Sequence, residues 1–246
     1  MRIIIILFIS IIFSITGDEL SILMDNRKAP EDISSELNME IVNKKGRKRK
    51  SKIKSISKDN NAKQILWFLS PADDKGISYL KIEHENQDDE IRLWLPAFKK
   101  IRRISSKKKA DSFMGSDLSY EDMTSRQMKD YTFSIIKDDI INEKSCYLLE
   151  SKPDGIKSEY STHLTWVEKN TYLPLKEESY DKNNKLLKLK TYKYVVMDSL
   201  NLVSEIFVEN IQKKSNTKLI FSNLRINTDI KDKLFQEKNM KRLPRK

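Results

Sequence analysis

KLLKLKTYKYVVM (185–197), LVSEIFVEN (202–210) and TKLIFSNLRIN (217–227) follow one another with only short polar breaks between them. Each is rich in Val, Ile, Leu, Tyr and Phe, alternates apolar with polar side chains, and ends near Asp, Asn or Lys. That is the signature of a β-strand with one face on a core. No ten-residue helical segment separates them, so the strands pair antiparallel rather than through βαβ crossovers.

Working outward, the same period of two recurs in SELNMEIVN (35–43), with Leu37, Met39 and Ile41 on one face, and in QILWFL (64–69) and ISYLKIE (77–83). It returns in EIRLWLPA (90–97), SCYLLESK (145–152) and THLTWVEK (162–169). KGRKRK (45–50), SPADDKG (70–76), NQDD (86–89), SKPDG (151–155) and DKNN (181–184) read as turns. The expectation is an antiparallel meander of about nine or ten strands, with Leu, Met, Ile, Phe and Trp facing inward and Lys and Glu facing water. Two segments have helical spacing. DELSILMDNRK (18–28) places Leu20, Leu23 and Met24 together and stops before Pro30. LSYEDMTSRQMKDY (118–131) offers Ser119 as N-cap and Asp122 three positions on, with Met123 and Met128 facing inward. No shift in composition marks a boundary inside residues 18–246, so one mainly β domain is expected.

The chain of 246 residues is long enough to bury a core without staples. Its five glycines are too dispersed for a phosphate-binding loop. Two histidines, His84 and His163, and the single Cys146 leave little material for a zinc site and none for an internal disulfide. No metal and no cofactor is expected. Cys146, in a Cys-Tyr-Leu-Leu run, reads as a small buried hydrophobe.

At the N-terminus, Arg2 precedes an apolar run from Ile3 to Phe13, followed by Ser14, Thr16 and Gly17. This matches a signal peptide over residues 1–17, cut near Thr16 or Gly17, and is too short to span a bilayer. The expected location is the periplasm.

The formal charge is +11. Lys44–Lys54 and Lys99–Lys109 are basic and contain no acid. They read as a solvated hairpin and a solvated edge strand, or as contacts for an anionic surface. Neither run contains an aromatic to stack on bases, so nucleic acid is not an expected partner. Lys107, Lys108 and Lys109, near Trp94 and Phe98, are the expected contact with an anionic membrane. In the segment 94–123, Asp117, Glu121 and Asp122 lack the ligand ladder of a calcium loop, and read as turn and cap residues with Arg102 or Arg103 as ion partners. A hydrolase using Asp117, Glu121 or Asp122 is the less favoured reading, and no catalytic residue is assigned.

SPADDKGISYLKI (70–82), WLPAFKKIRRIS (94–105) and SFMGSDLSYEDM (112–123) together resemble the exported outer-membrane lipoprotein-sorting proteins of the LolA-like family. The matching residues include Gly76, Pro96, Arg102, Arg103, Gly115, Asp117 and Asp122, which the resemblance implies are structural; Lys100 stands where Arg is common. TWVEKNTYLPLKEESYDKNNKLLK (165–188) extends the likeness. The resemblance implies a curved, incompletely closed antiparallel half-barrel covered by one or two helices. It also implies a non-enzymatic carrier or chaperone of lipid or lipoprotein acyl chains. Trp94, Phe98, Phe113, Met114, Tyr120 and Met123 are the implied ligand-binding residues. The rival is an accessory subunit that docks on a membrane exporter of the RND/MMPL type and has a filled core.

Overall fold

The computed structural model describes residues 14–84 and 87–244. Thirteen antiparallel strands form one open sheet rather than the expected nine or ten. The first six are β1 (Asp32–Val42), β2 (Lys48–Lys58), β3 (Lys63–Ser70), β4 (Ser78–Ile82), β5 (Glu90–Leu95) and β6 (Lys100–Arg103). The others are β7 (Tyr131–Ile141), β8 (Lys144–Pro153), β9 (Tyr160–Glu168), β10 (Pro174–Asp181), β11 (Leu186–Met197), β12 (Leu200–Asn210) and β13 (Ser215–Ile226).

The order is β6-β5-β4-β3-β2-β1-β13-β12-β11-β10-β9-β8-β7. The chain therefore winds outward from β1 to one edge, crosses to the other edge at β7, and winds back until β13 pairs with β1. The sheet curves but does not close. Residues 104–130 join its two edges across the inner face. They carry the SFMGSDLSYEDM motif.

That crossover is not the helix expected over 118–131. Ser119 and Asp122 do exchange capping-box hydrogen bonds, Ser119 N to Oδ2 at 2.8 Å and Asp122 N to Oγ at 3.2 Å. They cap only a 3₁₀ turn, Glu121–Met123. Side chains of this segment bond to β9, β11 and β13, which fixes it as a strap and takes precedence over helix propensity.

The expected N-terminal helix is present as α1 (Gly17–Asp25). Thr16 caps it, with Glu19 closing the box. Leu20 is fully buried against Leu149 and Val167, so α1 covers the inner face beside β7. The greater part of the expected signal peptide, residues 1–13, lies outside the described residues.

The inner core unites Leu37, Met39, Ile53, Leu66, Phe68 and Tyr79 from the sheet with Phe113, Leu118 and Tyr120 from the crossover. Phe113 and Tyr79 meet edge to face with ring centroids 5.3 Å apart. Residues after β13 form an outer layer. Phe235 and Met240 pack on Ile65, Trp67 and Leu80, and the short α2 (Glu237–Met240) fixes them there. Trp67 Nε1 donates to Asn239 O at 3.2 Å, and Ser78 Oγ to Met240 O at 2.9 Å.

The basic stretch 44–54 is not a solvated hairpin beyond its Asn43–Arg47 turn. Most of it is β2, hydrogen-bonded between β1 and β3. Ser51, Ile53, Ser55 and Ser57 face the core while Lys50 and Lys52 face water. Its missing acids come from the neighbouring strand, where Glu40 pairs with Lys48 at 3.2 Å and Lys50 at 3.0 Å.

Candidate functional site

The crossover and the inner face enclose two adjoining cavities. The larger, about 400 Å³, is bounded by Leu37, Leu66, Leu202, Ile206, Leu219 and Phe221 on the sheet. Phe113, Leu118 and Met123 of the crossover and the linker Arg27–Pro30 after α1 form its other walls. This is an apolar cavity of ordinary ligand-binding size.

The smaller cavity, about 270 Å³, lies between α1, the crossover and β7–β11. It is polar because strand parity in this half of the sheet is the reverse of the sequence expectation. Lys188 and Lys190 point inward and are buried, as are Glu177, Ser179, His163 and Thr165. The reason is Asp122, delivered by the crossover. Lys188 Nζ stands 2.8 Å from Asp122 Oδ2, Lys190 pairs with Oδ1, and Tyr160 Oη donates to Oδ2 at 2.9 Å. Lys190 also reaches Glu177 at 3.0 Å, and Arg126 reaches Glu177 at 2.7 Å.

The protonation states follow from this network. Burial alone raises the Asp122 carboxyl, but Lys190 and Lys188 outweigh it and hold the group well below the usual carboxylate range. Glu177 behaves alike, with burial opposed by Arg126 and Lys190. Burial, with Arg126 next, keeps His163 well below its ordinary value and therefore neutral. Burial pushes Tyr131, beside Glu121, up to about 12.

Asp117 and Asp122 are anchors, but not to Arg102 and Arg103. Asp117 accepts from Thr217 Oγ1 at 2.8 Å and from Ser215, tying the crossover to β13. Arg102 and Arg103 lie exposed on the edge strand β6 and make no ion pair among the described residues. Glu121 accepts hydrogen bonds from Ser158 Oγ, from Glu159 N at 3.0 Å and from Tyr131 Oη at 3.5 Å. Gly76 holds φ +88°, with Pro96 Cγ 3.5 Å from where a Cβ would stand. Gly115, at φ +78°, lies against Arg49, which bonds Met114 O and pairs with Asp74. Two of the recognised motifs therefore meet at β2.

The implied ligand residues divide. Phe113 and Met123 line the apolar cavity. Tyr120 lies behind them in the core, stacked on Tyr79 with centroids 6.4 Å apart. Met114 packs at the edge of that core. Trp94 is on the outer face, because Ile91 and Leu93 take the inward positions of β5, and Lys241 lies over its ring at 5.6 Å. Phe98 is 70% exposed at the β5–β6 turn. Lys107 and Lys108 are exposed, whereas Lys109 is held by Asp89 at 2.8 Å. Cys146 is buried against Leu148 and Trp166. Among the described residues no cluster of His, Cys, Asp or Glu could hold a metal. The polar cavity and the C-terminal outer layer were missed in the sequence; unusually acid-rich KEESYD (176–181), set beside KLLKLK (185–190), was the available sign of the first.

A family model described only as an uncharacterized protein matches residues 60–242. No curated protein matches the chain. A DUF1329 family protein from Desulfovibrio piger is 31% identical, with a TM-score of 0.85 over 91% of this chain and 97% of that one. A domain named for outer-membrane lipoprotein sorting, from Vibrio parahaemolyticus, is 29% identical, with a TM-score of 0.87 over 92% of this chain and 98% of that one. A LolA superfamily protein from Nitrosomonas europaea shares the fold at 18% identity and a TM-score of 0.74, over 92% of this chain and 100% of that one.

Proposed function

The chain belongs to the LolA-like lipoprotein-sorting proteins, and within them to the DUF1329 family, and from this we propose that it carries a lipid or a lipoprotein acyl chain in the periplasm. The observation that supports this reading is the apolar cavity of about 400 Å³ between the curved sheet and the crossover. An acyl chain placed there leaves water at about 0.8 kcal/mol per methylene. Met123 on one wall can adapt as a chain enters or leaves. The proposal contains no catalysis, since Asp117, Glu121 and Asp122 are each committed to donors within the protein.

A subunit that only docks on an RND/MMPL-type exporter would have no use for such a cavity, so the exporter enters the proposal as a recipient or donor of cargo. Export by the N-terminal segment and approach to an anionic membrane through the β6 edge complete it. Lipid extraction and mass spectrometry of the purified chain, with uptake of a fluorescent fatty acid, test the carrier reading. Bound lipid with stoichiometric uptake is expected; an empty protein that takes up no probe would overturn it.

A further inference from the structure

The apolar cavity does not end in an apolar wall. Asp122, Thr124, Ser125, Pro174 and Tyr192 line both cavities, so a single partition one crossover thick separates hydrocarbon surroundings from hydrogen-bonding ones. On the polar side, Ser151 is 2% exposed and its Oγ has no hydrogen-bond partner among the described residues. A buried hydroxyl on a cavity wall without a partner is a vacant position for a ligand's polar atom.

The charges of this cavity are matched from within the protein. Asp122 is held by Lys188 and Lys190, and Glu177 by Arg126 and Lys190. Glu121 has three donors, and Asp25 stands at the solvent rim near Arg27. His163 faces the same space as a neutral ring. A head carrying net charge would enter without an unmatched counter-charge to receive it, which is costly at a buried site. A head that is polar but neutral overall could bond to Ser151 and the surrounding hydroxyls at no such cost.

We infer that the polar cavity is the head-group subsite for an amphiphile whose hydrocarbon chain occupies the apolar cavity, and that it selects heads of zero net charge. This rests on the carrier reading and names the class of cargo.

The test is displacement of a fluorescent fatty-acid probe from the purified chain by phosphatidylethanolamine and phosphatidylglycerol of identical acyl chains. The neutral-headed lipid is expected to displace the probe about tenfold more effectively, a difference of about 1.4 kcal/mol. Ser151→Leu, which fills the polar cavity from the sheet, brings the ratio close to one while probe affinity stays unchanged. Ser21→Leu fills it from α1 and gives the same result should the first variant not fold. Equal displacement by the two lipids in the unmodified chain, or a preference that survives both substitutions, overturns the subsite and leaves the carrier reading standing. Failure of the probe to bind the unmodified chain overturns both.

Discussion

The ammonium of Lys188 on β11 lies 2.8 Å from the carboxylate of Asp122, sixty-six residues earlier in the chain. With Lys190 and Tyr160 on the same carboxylate, this contact fastens the crossover to the half of the sheet built after it.

Asp122→Asn leaves two buried ammonium groups sharing too little negative charge. Breaking a buried pair from one side costs about 3–5 kcal/mol, so the variant's urea midpoint falls sharply. Arg103→Gln, on an exposed edge, changes stability by less than about 0.5 kcal/mol. Comparable shifts in the two variants would contradict the assignment of the anchor.

Stability depends on pH in two ranges. The folded-state pKa of His163 is lowered by burial and then by Arg126, so the unfolded chain takes up a proton that the folded chain refuses. Its contribution is intact above about pH 6.5 and declines below it, by at most about 1.4 kcal/mol per pH unit. Asp122 and Glu177 also have lowered folded values, so theirs is intact above about pH 4 and is lost on further acidification. His163→Gln should flatten urea midpoints between about pH 5 and 6.5 and leave the decline below pH 4. An unchanged upper range in that variant would show that His163 does not titrate as described.

The exposed Phe98 and the basic β6 edge form one surface. Each Lys or Arg near an anionic bilayer contributes about 1 kcal/mol, screened beyond roughly 8 Å. Binding to anionic liposomes should fall with salt, and should fall for Arg102→Gln with Arg103→Gln as well as for Lys107→Gln with Lys108→Gln, at unchanged melting temperature. Lys109→Gln breaks the contact with Asp89 and so adds a stability effect. Salt-independent binding, or binding indifferent to both pairs, rejects the surface.

Gly17 is the position where α1 touches the sheet. A Cβ there would lie 2.4 Å from Phe133 O, so Gly17→Ala must displace the helix. Ile15 packs in the same cluster and Thr16 caps the helix. Cleavage after Thr16 or Gly17 would remove these contacts, and an upstream cut would retain them. Intact-mass measurement of the exported chain should find Thr16 present; a mature chain starting at Asp18 would contradict this.

The antiparallel meander was legible because Ile, Leu, Val and aromatic residues alternate cleanly in most strands. It failed for β2, where serine serves as the inward residue and the lysines dominate the eye, although Ser51, Ile53, Ser55 and Ser57 kept the period of two. β7 and β10 were missed for related reasons. Lys137–Asp139 interrupt the apolar pattern of one, and in the other the inward residues are Glu177 and Ser179. Which face of KLLKLK turns inward could not be read locally, since the partner that decides it, Asp122, arrives from the crossover. The same limit applies to Trp94, whose outward position depends on the C-terminal layer that covers it.

The central claim is that hydrocarbon occupies the cavity between the sheet and the crossover. The most direct measurement is photo-cross-linking of a fatty acid carrying a diazirine near its methyl end, followed by peptide mapping. Label should concentrate on peptides bearing Phe113, Met123, Ile206 and Leu219, and disappear when Leu219→Trp fills the space. Label confined to the surface around Phe98, or unchanged by that substitution, would contradict the account.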